Sequence, residues 1–398
     1  MNLIQIYIDT LRYDFAEICN APNMVNFMKK CVNLHDVYPE SLPTIPVRRS
    51  MITGKRFYPL KSEDCTYFYA PESFYEQHCP AGWRPVGNYK TIPEKASERG
   101  YLTCLITDVA HYFLEGMDFK DKYDEYVFVQ GQEKTRIPSD EWKDVDVREY
   151  THKLKNHIED VNDAKRYVYL NKDKPSFYYV ERLFQESESW IEKNKNRNFY
   201  LLIDCFDIHQ PWIETKYTEK YLNRPYTGNK ILFPSSGDIK ENLVLKNELE
   251  WINAAYRGEV EQFDEYFGKF IRYLEDNHIL DNTIVFIMSD HGILLGEHDS
   301  IGKKSSFMYP EVIKIVSSLY LPDHESIKDG MWYNTDIINS IAHKLGFPTK
   351  YEFRNIFEDE PRTHISCAYS QSIFFANQKS YQWFAKNGTF IKINRDGF

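Results

Sequence analysis

The chain has 398 residues, 42% hydrophobic and 27% charged, which is long enough for a large core and reads as a soluble globular protein of about two to three domains. Its net charge of −10, with no broad basic field, argues against a nucleic-acid partner. No run approaches the ~20 apolar residues of a membrane span, and the seven scattered cysteines, without a Cys-x-x-Cys pair, fit reduced thiols in a cytoplasm better than a disulfide framework.

The chain opens with the largely apolar run Leu3–Ile8, a predicted strand that ends in Asp9. Asp9 interrupts the run before it could act as an export signal. Ala21–Lys30 is predicted helical and Val32–Val37 extended. A helix is then expected from Thr44, with Pro46 in its first turn and Gly54 as its stop. Residues 55–90 are rich in Pro, Tyr and Phe and read as a long loop over the active face. Tyr101–Thr107 is the next strand, leading to Asp108 and His111. Residues 112–160 are polar and charged, an exposed insertion. Val161–Lys193 reads as helix with a break at Pro175.

Asn198–Ile203 is a short buried strand that runs through Asp204 toward Asp207 and His209. Glu241–His278 has long helical periodicity and feeds the strand Thr283–Ser289, which ends in Asp290-His291-Gly292. Val312–Leu321 is a further strand, and Asp336–Leu345 a helix closed by Gly346 and Pro348. Alternating strands and helices predict an α/β fold, a large, mostly parallel sheet with helices on both faces. Residues 1–349 form the catalytic domain, and the short alternating runs of 350–398 a small antiparallel C-terminal subdomain.

In open α/β sheets ligands bind beyond the carboxyl ends of the strands. Two strands ending in Asp9 and in Asp290-His291 can deliver three metal ligands to one crevice. Thr44 places a hydroxyl at a positive helix end, with Arg48 one turn on along the same face. A hydroxyl and a guanidinium there suit a small anionic ester.

At these residues the chain resembles the alkaline phosphatase superfamily in its sulfatase branch. Asp9 matches the acid after the first strand, and Thr44-Ile45-Pro46-Val47-Arg48 occupies the Cys-x-Pro-Ser-Arg signature. Asp290-His291-Gly292 with Gly296-Glu297-His298 matches the late metal motif, and Lys303 the substrate-binding lysine. Asp207-Ile208-His209-Gln210-Pro211 resembles the Pro-His-x-Pro segment, and Thr107-Asp108-Val109-Ala110-His111 the Gly-Lys-x-His region. The resemblance implies one divalent metal on Asp9, Asp290, His291 and Thr44. An imidazole beside carboxylates suits Mn²⁺ or Zn²⁺ ahead of Ca²⁺ or Mg²⁺. It also implies catalytic roles for Thr44, Arg48, Lys303, His209, His298 and His111.

Two departures bear on the chemistry. Sulfatases oxidise the signature Cys, or in some Ser, to formylglycine, which Thr44 should not undergo. Thr10 stands where a second acid is usual; it either supports the ligands or simply ends its strand. An unmodified threonine resembles the phosphodiesterase and phosphotransferase members. The expected reaction is attack by Thr44 on phosphorus, forming a phosphothreonine. Arg48 and Lys303 would hold the non-bridging oxygens, and His209 or His298 would protonate the leaving alkoxide. Asp108 and Asp207 are expected to orient histidines. The alternatives are a sulfuric ester hydrolase or a non-catalytic binding member. The partner is a small anionic ester, with no nucleic acid or membrane, and homo-oligomerisation is left open.

Overall fold

A computed structural model of the chain describes residues 1–57, 86–113, 117–132, 135, 137–369, 372–384 and 390–395. Strand β1 (Asn2–Ile8) leads to helix α1 (Pro22–Met28), β2 (Val32–Asn33), β3 (Ser41–Leu42) and α2 (Thr44–Thr53). Helix α3 (Ile92–Glu98), β4 (Leu102–Thr107) and β5 (Glu125–Phe128) follow, then α4 (Ile158–Asn171) and α5 (Tyr178–Asn194). Next come β6 (Phe199–Cys205), α6 (Lys246–Asp276), β7 (Thr283–Ser289), β8 (Ser317–Tyr320) and α7 (Asn334–Lys344). The last strands are β9 (His364–Tyr369), β10 (Ser372–Asn377), β11 (Ser380–Phe384) and β12 (Phe390–Asn394).

Seven strands form one sheet in the order β2-β8-β7-β1-β6-β4-β5. The five strands from β7 to β5 run parallel; β8 and β2 extend the sheet as antiparallel pairs. Every residue of β1, β6 and β7 is buried, as expected of parallel strands covered on both faces. The alternation of side chains then divides the core in two. Ile4, Ile6, Leu201, Ile203, Val285 and Ile287 face a cluster that includes Phe263, Phe267 and Phe270 of α6. Leu3, Tyr7, Tyr200, Leu202, Ile284 and Phe286 face the other, with Ile337, Ile338 and Ile341 of α7.

Three details depart from the sequence reading. The polar stretch 112–160 supplies β5, an edge strand parallel to β4. The span Val312–Leu321 is not one strand: Pro310 starts a helical turn to Ile313, and only Ser317–Tyr320 pairs with β7, antiparallel. The C-terminal strands β9–β12 form an antiparallel sheet as expected, but that sheet also takes β3 as a parallel neighbour of β9. The pairing Ala368↔Ser41 and Tyr369↔Leu42 thus ties the end of the chain to the segment just before Thr44. Most of the expected loop at 55–90, residues 58–85 with Cys65 and Cys79, lies outside the described residues; none of the other five cysteines is in a disulfide. No helix among the described residues is long and apolar enough to cross a membrane.

Candidate active site

Register brings the first ligands together. Ile8 of β1 is paired with Ser289 of β7, so Asp9 and Asp290 are the next residues on adjacent parallel strands. The ligand atoms of Asp9, Asp290 and His291 all lie within 4.8 Å of one another, and all three residues are buried. His291 Nδ1–H donates to the Gly292 carbonyl at 2.9 Å, which leaves the Nε2 lone pair facing the carboxylates. That Nε2 is 3.7 Å from Asp9 Oδ1 and 3.7 Å from Asp290 Oδ2.

Thr44 is the first residue of α2, and its Oγ1 lies 3.3 Å from His291 Nε2. Lys303 follows a strand segment, Ser300–Gly302, and reaches the same point. Its Nζ donates to His291 Nε2 at 2.8 Å and to His209 Nε2 at 2.9 Å. An ammonium therefore rests against lone pairs of the kind a metal ion would take. Asp9, Asp204, Asp290, Arg48 and Lys303 sum formally to one negative charge with the imidazoles neutral. A divalent ion would turn that into one positive charge, suited to an anionic ester. Two carboxylates, an outward imidazole lone pair and a nearby hydroxyl fit a divalent cation.

Arg48 has a different post from the one the sequence suggests. It is almost fully buried, and its guanidinium donates to Asp204 Oδ2 (2.8 Å) and Oδ1 (2.7 Å), Asp290 Oδ2 (2.6 Å) and Asp9 Oδ2 (3.1 Å). Four of its five N–H groups thus go to three carboxylates, because β1, β6 and β7 each present an acid beneath α2. Burial works against ionising Asp9, but Arg48, with lesser help from His209, Lys303 and His291, holds its pKa well below the ordinary carboxylate range. Asp204 was not singled out from sequence as a site residue. Burial raises its pKa against the pull of Arg48, and it also accepts from the Tyr112 hydroxyl. The signal for it was the strand position: Asp204 lies opposite Tyr7, two residues before Asp9.

Thr10 supports the ligands. Its hydroxyl donates to Asp9 Oδ1 at 2.7 Å and its amide to Asp290 Oδ1 at 3.1 Å. It does so at φ +64°, a left-handed conformation that costs a β-branched residue about 1–3 kcal/mol.

The histidines divide. His209 joins the centre: Nδ1–H donates to the Gln210 carbonyl at 2.8 Å, and Nε2 accepts from Lys303. Burial, then the Lys303 charge, pushes its pKa well below the usual histidine value, so it is neutral. Its ring stacks on Phe206 at 4.2 Å, and the buried His111 ring packs at 5.9 Å from the same phenylalanine. His298 is directed elsewhere. It lies at φ +55°, stacked 3.5 Å from Tyr309, with Nε2 at 3.2 Å from Glu311 Oε1. Asp108 and Asp207 do not orient these rings. Asp108 accepts from the Phe206 amide at 2.8 Å, and Asp207 from the Gln132 side chain at 2.9 Å.

A family model described as Sulfatase matches residues 2–341. The chain belongs to the sulfatase family. This family lies within the alkaline phosphatase superfamily, whose members are metal-dependent. The chain is 22% identical to iduronate 2-sulfatase of Mus musculus over 361 residues, which cover 81% of this chain and 59% of that protein. The match thus spans little more than half of that relative's length. It is 24% identical over 151 residues to the multifunctional alkaline phosphatase superfamily protein PehA of Trinickia caryophylli, 30% of this chain and 29% of that one. Among solved structures, a phosphonate monoester hydrolase of Agrobacterium radiobacter matches with a TM-score of 0.67 over 100% of this chain and 89% of that chain. At 13% identity this likeness shows a shared fold. The sulfatase family fold accounts for the parallel sheet and for ligands at its carboxyl edge.

Proposed function

We propose that this sulfatase family member breaks phosphate, phosphodiester or phosphonate esters through a covalent phosphothreonine at Thr44. The observation that carries the reading is the unmodifiable threonine hydroxyl 3.3 Å from His291 Nε2, at the start of a helix and beside Lys303. Asp9, Asp290 and His291 would hold one divalent cation, Mn²⁺ or Zn²⁺. When bound it lowers the pKa of a coordinated hydroxyl and offsets charge on a phosphoryl oxygen.

The rest falls to the chain's own groups. Thr44 Oγ gives its proton to solvent and attacks phosphorus, and the bond from phosphorus to the leaving oxygen breaks; in the second step the acceptor oxygen bonds to phosphorus, the bond to Thr44 Oγ breaks, and the hydroxyl is restored. Lys303, released from His291, holds a non-bridging oxygen. Neutral His209 accepts from Lys303, so the proton at this wall resides on Lys303 Nζ and passes from there to the leaving alkoxide. Arg48 keeps Asp9 and Asp290 ionised and in place. Water as the second acceptor gives hydrolysis; an alcohol gives phosphotransfer.

A sulfuric ester hydrolase is the second reading, favoured by the family description and by the sulfatases among the relatives. Thr44 stands against it, since a threonine cannot form the geminal diol that expels sulfate. Aryl phosphate, phosphodiester, phosphonate and sulfate esters of one leaving group, assayed with Mn²⁺, Zn²⁺, Mg²⁺ and Ca²⁺, separate the two. Phosphoryl or phosphonyl turnover is expected to exceed sulfuryl turnover, and Thr44→Ala to remove it. Fastest cleavage of the sulfate, or an active alanine variant, would overturn the proposal.

A further inference from the structure

A second cavity lies apart from the metal ligands, between α4, α5 and the segment after His209. Its volume is about 260 Å³, just below the ~300 Å³ at which drug-sized pockets begin, so it takes one small ring. Tyr150, Tyr167 and Trp251 supply aromatic wall. Lys174 supplies charge. Its Nζ donates to the Tyr179 hydroxyl at 3.0 Å and lies 4.8 Å from the Tyr178 ring centre and 5.0 Å from that of Tyr179.

Among the described residues no carboxylate forms an ion pair with Lys174, and burial lowers its pKa. Lys230, also in the wall, is already paired with Glu214. Three lysines line the cavity, Lys172, Lys174 and Lys230; Lys230 is neutralised by Glu214, and Lys174 is half-buried against the Tyr178 and Tyr179 rings. The placement of Lys174 depends on Gly131, at φ +133°. A Cβ there would stand 2.7 Å from Lys174 Nζ and 2.2 Å from the Tyr179 oxygen. Tyr167 adds a second donor, since none of the described side chains hydrogen-bonds its hydroxyl.

We infer that this cavity binds a small ring carrying one acidic group, the acid held by Lys174 and the Tyr167 hydroxyl and the ring laid against Tyr150, with the buried Trp251 closing the wall behind it. An ammonium gains most from an anion where water is partly excluded, and aromatic faces suit either a sugar ring or a planar one. The inference is independent of the chemistry at Thr44.

Calorimetric titration of the full chain with glucuronate and with 4-hydroxybenzoate tests it and distinguishes a sugar acid from an aromatic acid. At least one should bind. Lys174→Gln should weaken binding about tenfold or more, Lys174→Arg should retain it, and Asp290→Asn should leave it unchanged. Neutral glucose and phenol should bind far more weakly than the acids. Crystals soaked with the tighter acid should show it against Lys174, a readout that needs no variant. The inference is overturned if neither acid binds, if Lys174→Gln binds as the parent does, or if Asp290→Asn alone abolishes binding.

Discussion

At the scale of single residues, the centre is a small network in which each ligand carboxylate is held twice. Thr10 and Arg48 each reach both Asp9 and Asp290. Removing the Thr10 hydroxyl frees one oxygen of Asp9 to turn. Loss of such supporting bonds typically costs 10–100-fold in metal affinity. Thr10→Ala should therefore weaken Mn²⁺ or Zn²⁺ affinity about tenfold, as read by metal titration, with the fold intact. Arg48→Met acts on stability. It leaves Asp9, Asp204 and Asp290 buried without their shared counter-charge, and breaking such pairs costs ~3–5 kcal/mol. A chemical denaturation curve indistinguishable from the parent's would show that the network contributes little. The gathering of Asp9, Thr44, Asp290 and His291 was legible from the sequence because strand ends and a helix start announce their positions. Arg48 was legible as a neighbour of Thr44, but its bonds to three carboxylates were not. That arrangement depends on Asp204, whose side chain looks like any strand residue until β1 and β6 are laid side by side.

At the scale of elements, the loop after β6 shows how burial sets ionisation. Asp207 is pushed up to about 7 by burial, opposed by hydrogen bonds from the Gln132 side chain and the Val180 amide. Its folded form therefore keeps a proton that the unfolded chain has already released between the ordinary carboxylate value and about 7. Stability from this group is greatest in acid and is lost as pH rises through that window, by up to about 1.4 kcal/mol per pH unit. Asp207→Asn keeps an acceptor for Gln132 and removes the titration. Its melting temperature should match the parent's near about pH 4 and exceed it increasingly toward about pH 8. Parallel curves would mean that Asp207 does not titrate there. Periodicity foretold α4 and α5 with their break near Pro175, and the long α6, because amphipathic patterns are local. It could not foretell that β8 runs antiparallel or that β3 joins the C-terminal sheet. A four-residue strand such as β8 carries no sign of its direction, and the two-residue β3 carries no period and has its partner 327 residues away.

At the scale of the whole molecule, the candidate metal ligands come from segments far apart in the chain. Asp9 closes the first strand, and Asp290 and His291 follow β7. An unfolded chain holds no such grouping, so a cation that binds there binds the folded form alone. Its stabilisation follows mass action, about 2.7 kcal/mol at a hundredfold excess over Kd. Melting temperature should rise with Mn²⁺ or Zn²⁺ in the parent and fall with a chelator, whereas Asp290→Ala should respond to neither. A metal-dependent shift that survives in Asp290→Ala would place the cation elsewhere. The parallel sheet was expected from the alternation of strands and helices. The closeness of its two cores, divided only by the odd and even residues of β1, β6 and β7, emerges from packing.

The pairing of β3 with β9 has a consequence for the order in which this molecule can become whole. Ser41 and Leu42 leave the ribosome 327 residues ahead of their strand partners Ala368 and Tyr369. Tyr369 also donates its hydroxyl to the Lys303 carbonyl at 2.5 Å, so the same late strand braces the lysine. The segment ahead of Thr44 thus waits for its neighbour while the whole intervening chain is made, and contacts so distant in sequence form slowly. A nascent chain can have its central strands in register and its carboxylates gathered while the edge that steadies Thr44 is still unmade. Translation itself then sets when this site can first act.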